Sequence, residues 1–223
     1  MKRRHVMPFG AEPLPAGGVR FRLWAPAVTA MVLRLDETQD LPMAAAGSGW
    51  FELTVAAAHA GSCYRFRLPD GLLVPDPASR YNPDGVHGPS TVVAPTAFDW
   101  PDDDWRGRPW EEAVIYELHV GSFTPAGNFT GVVQRLAYLA DLGVSALEIM
   151  PVAAAPGCVG WGYDGVLPFA PHAAYGCPED FKRLIAAAHE RGLMVILDVV
   201  YNHFGPEGNY LHTYAPNFFT RQH

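Results

Sequence analysis

Apolar and polar residues alternate one by one along several short stretches in the first half of the chain. Residues 19–24 read VRFRLW, and the same alternation recurs at residues 31–35, 51–55 and 63–68. A period of two is typical of β-strands that bury one face, and the glycine, proline and aspartate residues between the stretches favour turns. Residues 1–97 are therefore predicted to form a small antiparallel β-sandwich.

A different pattern begins at residue 113, where apolar stretches alternate with segments of helical period. The predicted elements are a strand at 114–120, a helix at about 131–142, a strand at 145–149, a helix at 178–191 and a strand at 193–200. Strands that alternate with helices favour a parallel sheet with helical crossovers. Residues 98–112 combine three tryptophans with prolines and a run of acids, and we interpret them as the linker between two domains.

The predicted loops of the second half differ in length according to the element that they follow. Gly143 and Gly192 come directly after the two helices, where a glycine can adopt the left-handed conformation that ends a helix. The loops that follow the second and third strands are long, at residues 150–177 and from residue 201 onward. In parallel α/β proteins, loops at the carboxyl ends of strands carry the functional residues. A functional site is therefore predicted in these two loops.

The third predicted strand carries an aspartate near its carboxyl end. Residues 196–211 read ILDVVYNHFGPEGNYL, in which Asn202 and His203 closely follow Asp198. A carboxylate among apolar residues needs a partner, because burying it alone costs free energy. Two interpretations stand: Asp198 caps a turn, or it acts with Asn202 and His203 on a polar ligand such as a hydroxyl-rich sugar. These three residues lack the oxygen-rich cage that calcium prefers, and no metal site is predicted.

The long loop after the second strand places aromatic and acidic side chains between glycines. Trp161, Tyr163 and Asp164 lie in the stretch CVGWGYDG. The rings could present flat apolar faces to a sugar, or they could form a hydrophobic lid on the sheet. Glu117 and His119, at the end of the first predicted strand, are weaker candidates that could brace the floor of such a site.

Composition and charge argue against nucleic acids and membranes as partners of the chain. The 223 residues are 49% hydrophobic and 17% charged, and their formal net charge is -7. The basic run at residues 2–4 is isolated, so no basic surface for nucleic acid is predicted. No stretch approaches the roughly 20 apolar residues of a membrane-spanning helix, and prolines follow the basic start where a signal peptide would be apolar. We expect a soluble, cytoplasmic protein without nucleic-acid or membrane partners.

Motifs in the second half resemble a known family. DVVYNH, at residues 198–203, resembles the first signature block of the α-amylase superfamily of glycoside hydrolases, at the end of the third strand of a TIM barrel. YELHVGSFTPAGNF at 116–129, LEIMPVAAAPGCVGWGYDGV at 147–166 and VVYNHFGPEGNYL at 199–211 are together similar to the maltooligosyltrehalose trehalohydrolases, one branch of that superfamily. This branch also has an N-terminal β-sandwich that resembles a carbohydrate-binding module. The likeness extends over most of the 223 residues.

The resemblance implies a multidomain fold. It implies a β-sandwich at 1–97, a linker at 98–112, and the first three strand-helix units of a TIM (β/α)8 barrel at 113–223. A complete barrel has eight such units in about 250 residues, so we expect the chain to be the N-terminal fragment of a longer enzyme. In the family, the nucleophilic aspartate and the acid glutamate lie on later strands. They are expected downstream of His223, and no catalytic residue is predicted within this chain.

The family's binding residues are carried over to the positions of this sequence that match its motifs. Tyr163 matches the tyrosine that stacks on the sugar at the cleavage subsite, and Asp198 and His203 match residues that hold the same sugar. Asn202 matches a position that ligates calcium in many amylases, but calcium dependence does not follow, and no cofactor is expected. The predicted substrate-binding residues are Tyr163, Asp164, Asp198, His203, Trp161 and Asn202.

The activity that the resemblance implies is hydrolysis of the α-1,4 bond that joins trehalose to a maltooligosyl chain, with retention at the anomeric carbon. Such a mechanism proceeds through a covalent glycosyl-enzyme and uses two carboxyl groups. The expected partner is maltooligosyltrehalose or a related α-glucan. The alternatives are a glycogen branching or debranching enzyme of the same superfamily, and a glucan-binding protein without catalytic activity.

Overall fold

The structure, a computed structural model, describes residues 7–101 and 104–219. The basic residues at positions 2–4, residues 102 and 103 of the predicted linker, and His223 lie outside the described residues. Within the two described ranges, no helix is long and apolar enough to cross a membrane.

The first part of the chain forms two antiparallel sheets, as the alternating pattern predicts. The strands are β1 (Gly10–Pro13), β2 (Val19–Trp24), β3 (Val32–Leu35), β4 (Gln39–Pro42), β5 (Ala44–Ala45), β6 (Trp50–Val55), β7 (Cys63–Arg67), β8 (Leu73–Val74) and β9 (Ser90–Thr91). One sheet has the order β1-β2-β6-β5, and the other has the order β4-β3-β7-β8 with β9 also paired to β7.

The period-two pattern decides which side chains fill the space between the sheets. In β2, Val19, Phe21 and Leu23 are buried, while the residues between them stay partly exposed. The same side chains share one hydrophobic core with Tyr64 and Phe66 of β7. The ring of Tyr64 meets Phe21 at 4.9 Å and Phe66 at 5.9 Å between centroids. The predicted alternation is confirmed, and its apolar face forms the sandwich core.

The second half contains a three-stranded parallel sheet. Its elements are β10 (Ile115–Leu118), α1 (Val120–Phe123), α2 (Phe129–Asp141), β11 (Ala146–Ile149), β12 (Ala153–Ala154), β13 (Leu167–Pro171), α3 (Pro178–His189), β14 (Met194–Leu197) and α4 (Leu211–Tyr214). β10, β11 and β14 pair in parallel in that order, and α2 and α3 connect them. The predicted alternation of strands and helices is confirmed.

Local chemistry sets the ends of the crossover helices. The side-chain oxygen of Asn128 accepts a hydrogen bond from Gly131 N at 2.9 Å and caps α2. The helix therefore begins at Phe129, slightly earlier than predicted. Gly143 and Gly192, which follow the two helices, have φ of +93° and +71°. Both predicted left-handed glycines are confirmed.

The third parallel strand is shorter than its apolar run. The pattern predicts a strand at 193–200, but β14 ends at Leu197, where its pairing with β11 ends. β11 is followed after one residue by Pro151, which has no amide hydrogen to continue a ladder. Asp198 therefore lies just after the strand and is half-buried, instead of lying within the strand.

The segment after the third parallel strand returns to the sandwich. Tyr214, in α4, is 1% exposed and belongs to the sandwich core. Its backbone oxygen accepts a hydrogen bond from Ala27 N at 3.0 Å.

Within the predicted linker, Trp105 stacks on His189 of α3 with 4.6 Å between ring centroids. The predicted domain boundary at 98–112 stays a prediction.

Candidate functional site

The carboxyl ends of the three parallel strands lie side by side at one edge of the sheet. Leu118, Ile149 and Leu197 end β10, β11 and β14, and Ile149 is the register partner of the other two. α1 follows β10 immediately, whereas long segments follow β11 and β14. These two segments carry all the residues that the sequence predicts for substrate binding.

Tyr163 connects two of the predicted residues. Its phenol Oη donates a hydrogen bond to Asp198 Oδ2 at 3.5 Å, and its backbone oxygen lies 3.0 Å from His203 Nε2. The first bond is long for a hydrogen bond, and the second has an ordinary length. Because a carbonyl oxygen only accepts, His203 carries a hydrogen on Nε2. The structure thus brings Tyr163, Asp198 and His203 together.

Nearby carboxylates affect the protonation of the phenol of Tyr163. Partial desolvation raises the pKa of Tyr163, and the negative charges of Asp198, Glu117 and Glu148 raise it further. The phenol is therefore protonated at neutral pH and acts as a hydrogen-bond donor. Glu117 and Glu148 are register partners on β10 and β11. Glu148 is not among the predicted site residues, although a glutamate inside the apolar run ALEI is a signal of a functional position.

Two glycines allow the long loops to approach other backbone closely. A side chain at Gly162, which has φ of +90°, would clash with the backbone oxygen of Pro151. A side chain at Gly205 would clash with the backbone oxygen of Asp164. Gly205 N also donates a hydrogen bond to Gly165 O at 3.1 Å. The loop after β11 and the segment after β14 therefore pack backbone against backbone.

The other three predicted residues lie outside this hydrogen-bonded group. Trp161 is 78% exposed, so its indole does not form a lid packed on the sheet. Asp164 and Asn202 are exposed as well. Within the described part of the chain, none of these three side chains is hydrogen-bonded to Tyr163. Their assignment to the site stays a prediction.

A groove runs between α1 and the loop that carries Trp161. Its volume is about 460 Å³, and its lining includes His119, Trp161 and Tyr175. His119 Nε2 lies 2.8 Å from Gly160 O and 3.0 Å from Tyr175 Oη, and its Nδ1 lies 3.2 Å from Ser122 Oγ. His119 therefore braces the loop after β11. A concave surface with aromatic walls suits the apolar face of a sugar ring.

The groups at this edge of the sheet offer hydrogen bonds and ring faces. The carboxylate of Asp198 can accept from sugar hydroxyls, and the phenol of Tyr163 can donate to them. The rings of Tyr163 and Trp161 can pack on the C–H surface of a sugar. In residues 7–101 and 104–219, no group of three or more His, Cys, Asp or Glu side chains is placed to hold a metal ion. The arrangement is suited to sugar binding.

Comparison with known proteins decides the family. Residues 77–218, more than half of the chain, match the family described as "Alpha amylase, catalytic domain". The chain belongs to the alpha-amylase family. Residues 8–75 match carbohydrate-binding module 48, the isoamylase N-terminal domain. Strands β1 to β8 lie within the second match, and the candidate site lies within the alpha-amylase match.

Two curated relatives are similar in sequence to this chain over nearly its whole length. It is 50% identical over 212 residues to the malto-oligosyltrehalose trehalohydrolase of Deinococcus radiodurans, covering 95% of the chain and 35% of the relative. It is 47% identical over 212 residues to the protein of that name from Saccharolobus solfataricus, covering 95% of the chain and 37% of the relative. The crystal structure of a candidate alpha amylase from Salmonella typhimurium superposes with a TM-score of 0.95 at 53% identity, covering 98% of the chain and 37% of that protein. The chain spans a little more than a third of the length of these relatives.

Proposed function

We propose that this chain forms the first part of a longer, retaining glycosidase. The enzyme would hydrolyse the α-1,4 bond between the trehalose unit and the maltooligosyl chain of a maltooligosyltrehalose. Two relatives, 50% and 47% identical to the chain, carry the name of that activity. On this proposal the partner is maltooligosyltrehalose or a related α-glucan, and the product is trehalose.

We propose further that the parallel sheet is the beginning of a TIM barrel. β10, β11 and β14 are parallel and lie side by side in the sheet in the same order as in the sequence. A helical crossover joins each neighbouring pair, as in a (β/α)8 barrel. Ile115 and Leu197, on the two outer strands, are 43% and 41% exposed. Five further strand-helix units would cover such apolar side chains, which supports a longer protein.

One observation carries the proposal: Tyr163 and Asp198 meet at the carboxyl ends of β11 and β14, and His203 holds the same loop. An aromatic ring beside a carboxylate provides the two kinds of contact that a glucose ring needs, an apolar face and a hydrogen-bond acceptor for its hydroxyls. In this proposal the three residues surround the sugar whose bond is cleaved.

The residues of this chain would contribute binding, and bond cleavage would depend on later strands. Retaining glycosidases place two carboxyl groups about 5–5.5 Å apart, one as nucleophile and one as acid. We expect both, an aspartate and a glutamate, beyond His223. Trp161 would offer a further ring face, and Asp164 and Asn202 would bind sugar hydroxyls. The proposed mechanism uses no cofactor.

The experiment uses the complete product of the gene that encodes this chain. Trehalose release from maltooligosyltrehalose is measured for the wild type, for Tyr163→Phe and for Tyr138→Phe, an exposed tyrosine on α2 that serves as the control. The Tyr163 variant keeps the ring and loses one hydroxyl, so kcat/KM should fall by roughly fivefold or more. The Tyr138 variant should match the wild type.

Other products would identify the alternative functions. New α-1,6 branches on a linear glucan would indicate a branching enzyme, and hydrolysis of existing α-1,6 bonds would indicate a debranching enzyme. Glucan binding without turnover by the complete protein would favour a binding protein. Each of these results, in the absence of trehalose release, would contradict the proposed activity.

A further inference from the structure

His87 joins two segments that lie far apart in the sequence. Its Nε2 lies 3.0 Å from Glu207 Oε1, and its Nδ1 lies 2.6 Å from Tyr210 Oη. His87 lies between β8 and β9, whereas Glu207 and Tyr210 follow β14. One imidazole therefore connects the sandwich part of the chain to the segment that carries His203.

The direction of these hydrogen bonds follows from the groups involved. An ionised carboxylate only accepts hydrogen bonds, so Nε2 of His87 donates to Glu207. In the neutral ring, Nδ1 then accepts a hydrogen bond from the phenol of Tyr210. Tyr210 also packs against the sandwich core, and its ring meets the His87 ring edge-on with 6.0 Å between centroids. Both nitrogens of His87 are thus satisfied, and the ring is held in one orientation.

A close backbone contact reinforces these hydrogen bonds. Gly208 has φ of +88°, and a side chain at this position would clash with Val86. Val86, the neighbour of His87, is buried in a small core that includes Val166. An exposed ion pair alone contributes little, since solvent and salt screen it. Here the segment after β14 is also packed against the segment before β9.

The loop that carries Tyr163 holds the same stretch from another direction. His203 Nε2 donates to Tyr163 O at 3.0 Å, and Gly205 N donates to Gly165 O at 3.1 Å. Residues 203–210 are therefore fixed by two neighbours, the loop after β11 and the segment before β9. Loss of the His87 contacts would leave this stretch held by the loop after β11 and, further along the chain, by Tyr214 in the sandwich core.

We propose that His87 is a positioning residue for the candidate sugar site. It holds the segment after β14 in place and so keeps His203 attached to the Tyr163 loop. The inference rests on the proposed function, and it gives His87 no contact with substrate. An imidazole suits this role because it donates from one nitrogen and accepts at the other. Without it the segment should open more often, and the site should be assembled for a smaller fraction of the time.

Hydrogen exchange of the complete gene product, measured by mass spectrometry, tests the attachment directly. In His87→Ala and in Tyr210→Phe, amides of residues 201–210 should exchange roughly 5- to 10-fold faster than in the wild type, while those of α3 should not change. Glu207→Gln keeps an acceptor at the same place and should have a smaller effect than His87→Ala. His212→Ala, which changes an exposed histidine on the same segment, is the matched control and should behave as the wild type.

Kinetics on maltooligosyltrehalose separate positioning from a general loss of stability. For His87→Ala, kcat/KM should fall about fivefold or more, mainly through a higher KM, because only the assembled fraction binds substrate, and the melting temperature should match that of the His212→Ala control. Unchanged exchange at residues 201–210, or faster exchange with a wild-type kcat/KM, would overturn the inference. If the wild type released no trehalose, the proposed function would fail, and the exchange comparison would still decide whether His87 holds the segment.

Discussion

The phenol of Tyr163 reaches the carboxylate of Asp198 across 3.5 Å, although the two residues are 35 positions apart. Tyr163 belongs to the loop after β11, and Asp198 directly follows β14, so the contact joins the ends of adjacent parallel strands. A sugar that packs on the ring of Tyr163 would find the acceptor oxygens of Asp198 beside it. The fold of the sheet thus brings together two groups with complementary roles in sugar recognition.

Replacing His203 with alanine should weaken the candidate site without unfolding the protein. The side chain is exposed, and its Nε2 donates to Tyr163 O at 3.0 Å, so the change removes a hydrogen bond between the two loops. We expect a loss of roughly 1–3 kcal/mol of transition-state stabilisation, calculated from kcat/KM of the complete gene product on maltooligosyltrehalose. His212→Ala serves as the control. An unchanged kcat/KM for the His203 variant would show that its assignment is wrong.

Alanine at Gly162 should cost more stability than alanine at Gly157. Both glycines have positive φ, +90° and +77°, so both substitutions impose a strained backbone of about 1 kcal/mol. Only at Gly162 would the new Cβ clash with the backbone oxygen of Pro151, since nothing lies within 4 Å of a Cβ at Gly157. Urea unfolding should therefore show a further loss of about 1–3 kcal/mol for Gly162→Ala. Equal losses would contradict the close approach of Gly162 to the backbone of Pro151.

The sandwich could be predicted from the sequence because its signal is local. In β2 and β7 alternate apolar residues are buried, as Phe21 and Phe66 illustrate. Strands β5, β8 and β9 have two residues each, which is too short for a period to appear. β8 and β9 exist because the longer strand β7 offers both of them backbone partners.

The hairpin formed by β12 and β13 could not be predicted from the sequence, because β13 contains prolines. β13 contains Pro168 and Pro171, and a proline within an apolar run argues against a strand because it cannot donate to a ladder. Among the described residues, β13 pairs only with β12, so one edge of the strand needs no donors. The sequence alone therefore predicted a loop at 150–177, where the structure has a short irregular hairpin.

The contacts that assemble the candidate site could not be predicted from local patterns. The family resemblance identified Tyr163 and Asp198, but their hydrogen bond depends on how two long loops fold onto each other. The link from His87 to Glu207 spans 120 positions, and neither residue belongs to a periodic element. Periodicity reports which face of one element is buried, and it carries no information about such long-range pairs.

Replacing Tyr214 with alanine should destabilise the sandwich, although Tyr214 lies in the second half of the chain. Its ring is buried in the sandwich core, and removing it leaves a cavity among packed side chains. We expect the free energy of unfolding to fall by about 3–5 kcal/mol. Tyr201→Ala, which removes an exposed ring, should change it by less than about 0.5 kcal/mol. Similar effects of the two substitutions would show that the sandwich does not depend on α4.

Acidification should destabilise the protein through His172. Burial lowers the pKa of His172 below its usual value of 6.5, and Nδ1 of the ring accepts a hydrogen bond from Ala174 N at 3.1 Å. Because the folded-state pKa is the lower one, the unfolded state binds the proton more tightly. The contribution of the neutral ring to stability is therefore present above about pH 6.5 and is lost as the pH falls through the folded-state pKa.

The variant His172→Asn isolates this effect. Its side-chain oxygen can still accept from Ala174 N, but it has no proton to gain near neutral pH. Between about pH 7.5 and 5.5, its free energy of unfolding should fall less steeply than that of the wild type. Parallel curves for His172→Asn and the wild type would contradict the prediction.

Residues 1–223 alone should have no glycosidase activity. On the proposed mechanism the nucleophile and the acid lie on later strands, and the loss of such groups typically costs several orders of magnitude in rate. The carboxylates that follow the second and third strands on the loops are Asp164, Asp198 and Glu207. The family resemblance gives none of them either catalytic role, and Glu207 is engaged by His87 at 3.0 Å.

The test is an assay of purified residues 1–223 for release of trehalose and reducing sugar from a maltooligosyltrehalose. The unmodified chain and its Asp198→Ala variant, prepared in the same way, should both show only the background rate. A contaminating host glycosidase would act equally in both preparations, so the comparison distinguishes contamination from intrinsic activity. Turnover that disappears in the Asp198→Ala variant would mean that the chain carries a complete catalytic site, because only then could one carboxylate of this chain decide whether the bond is cleaved.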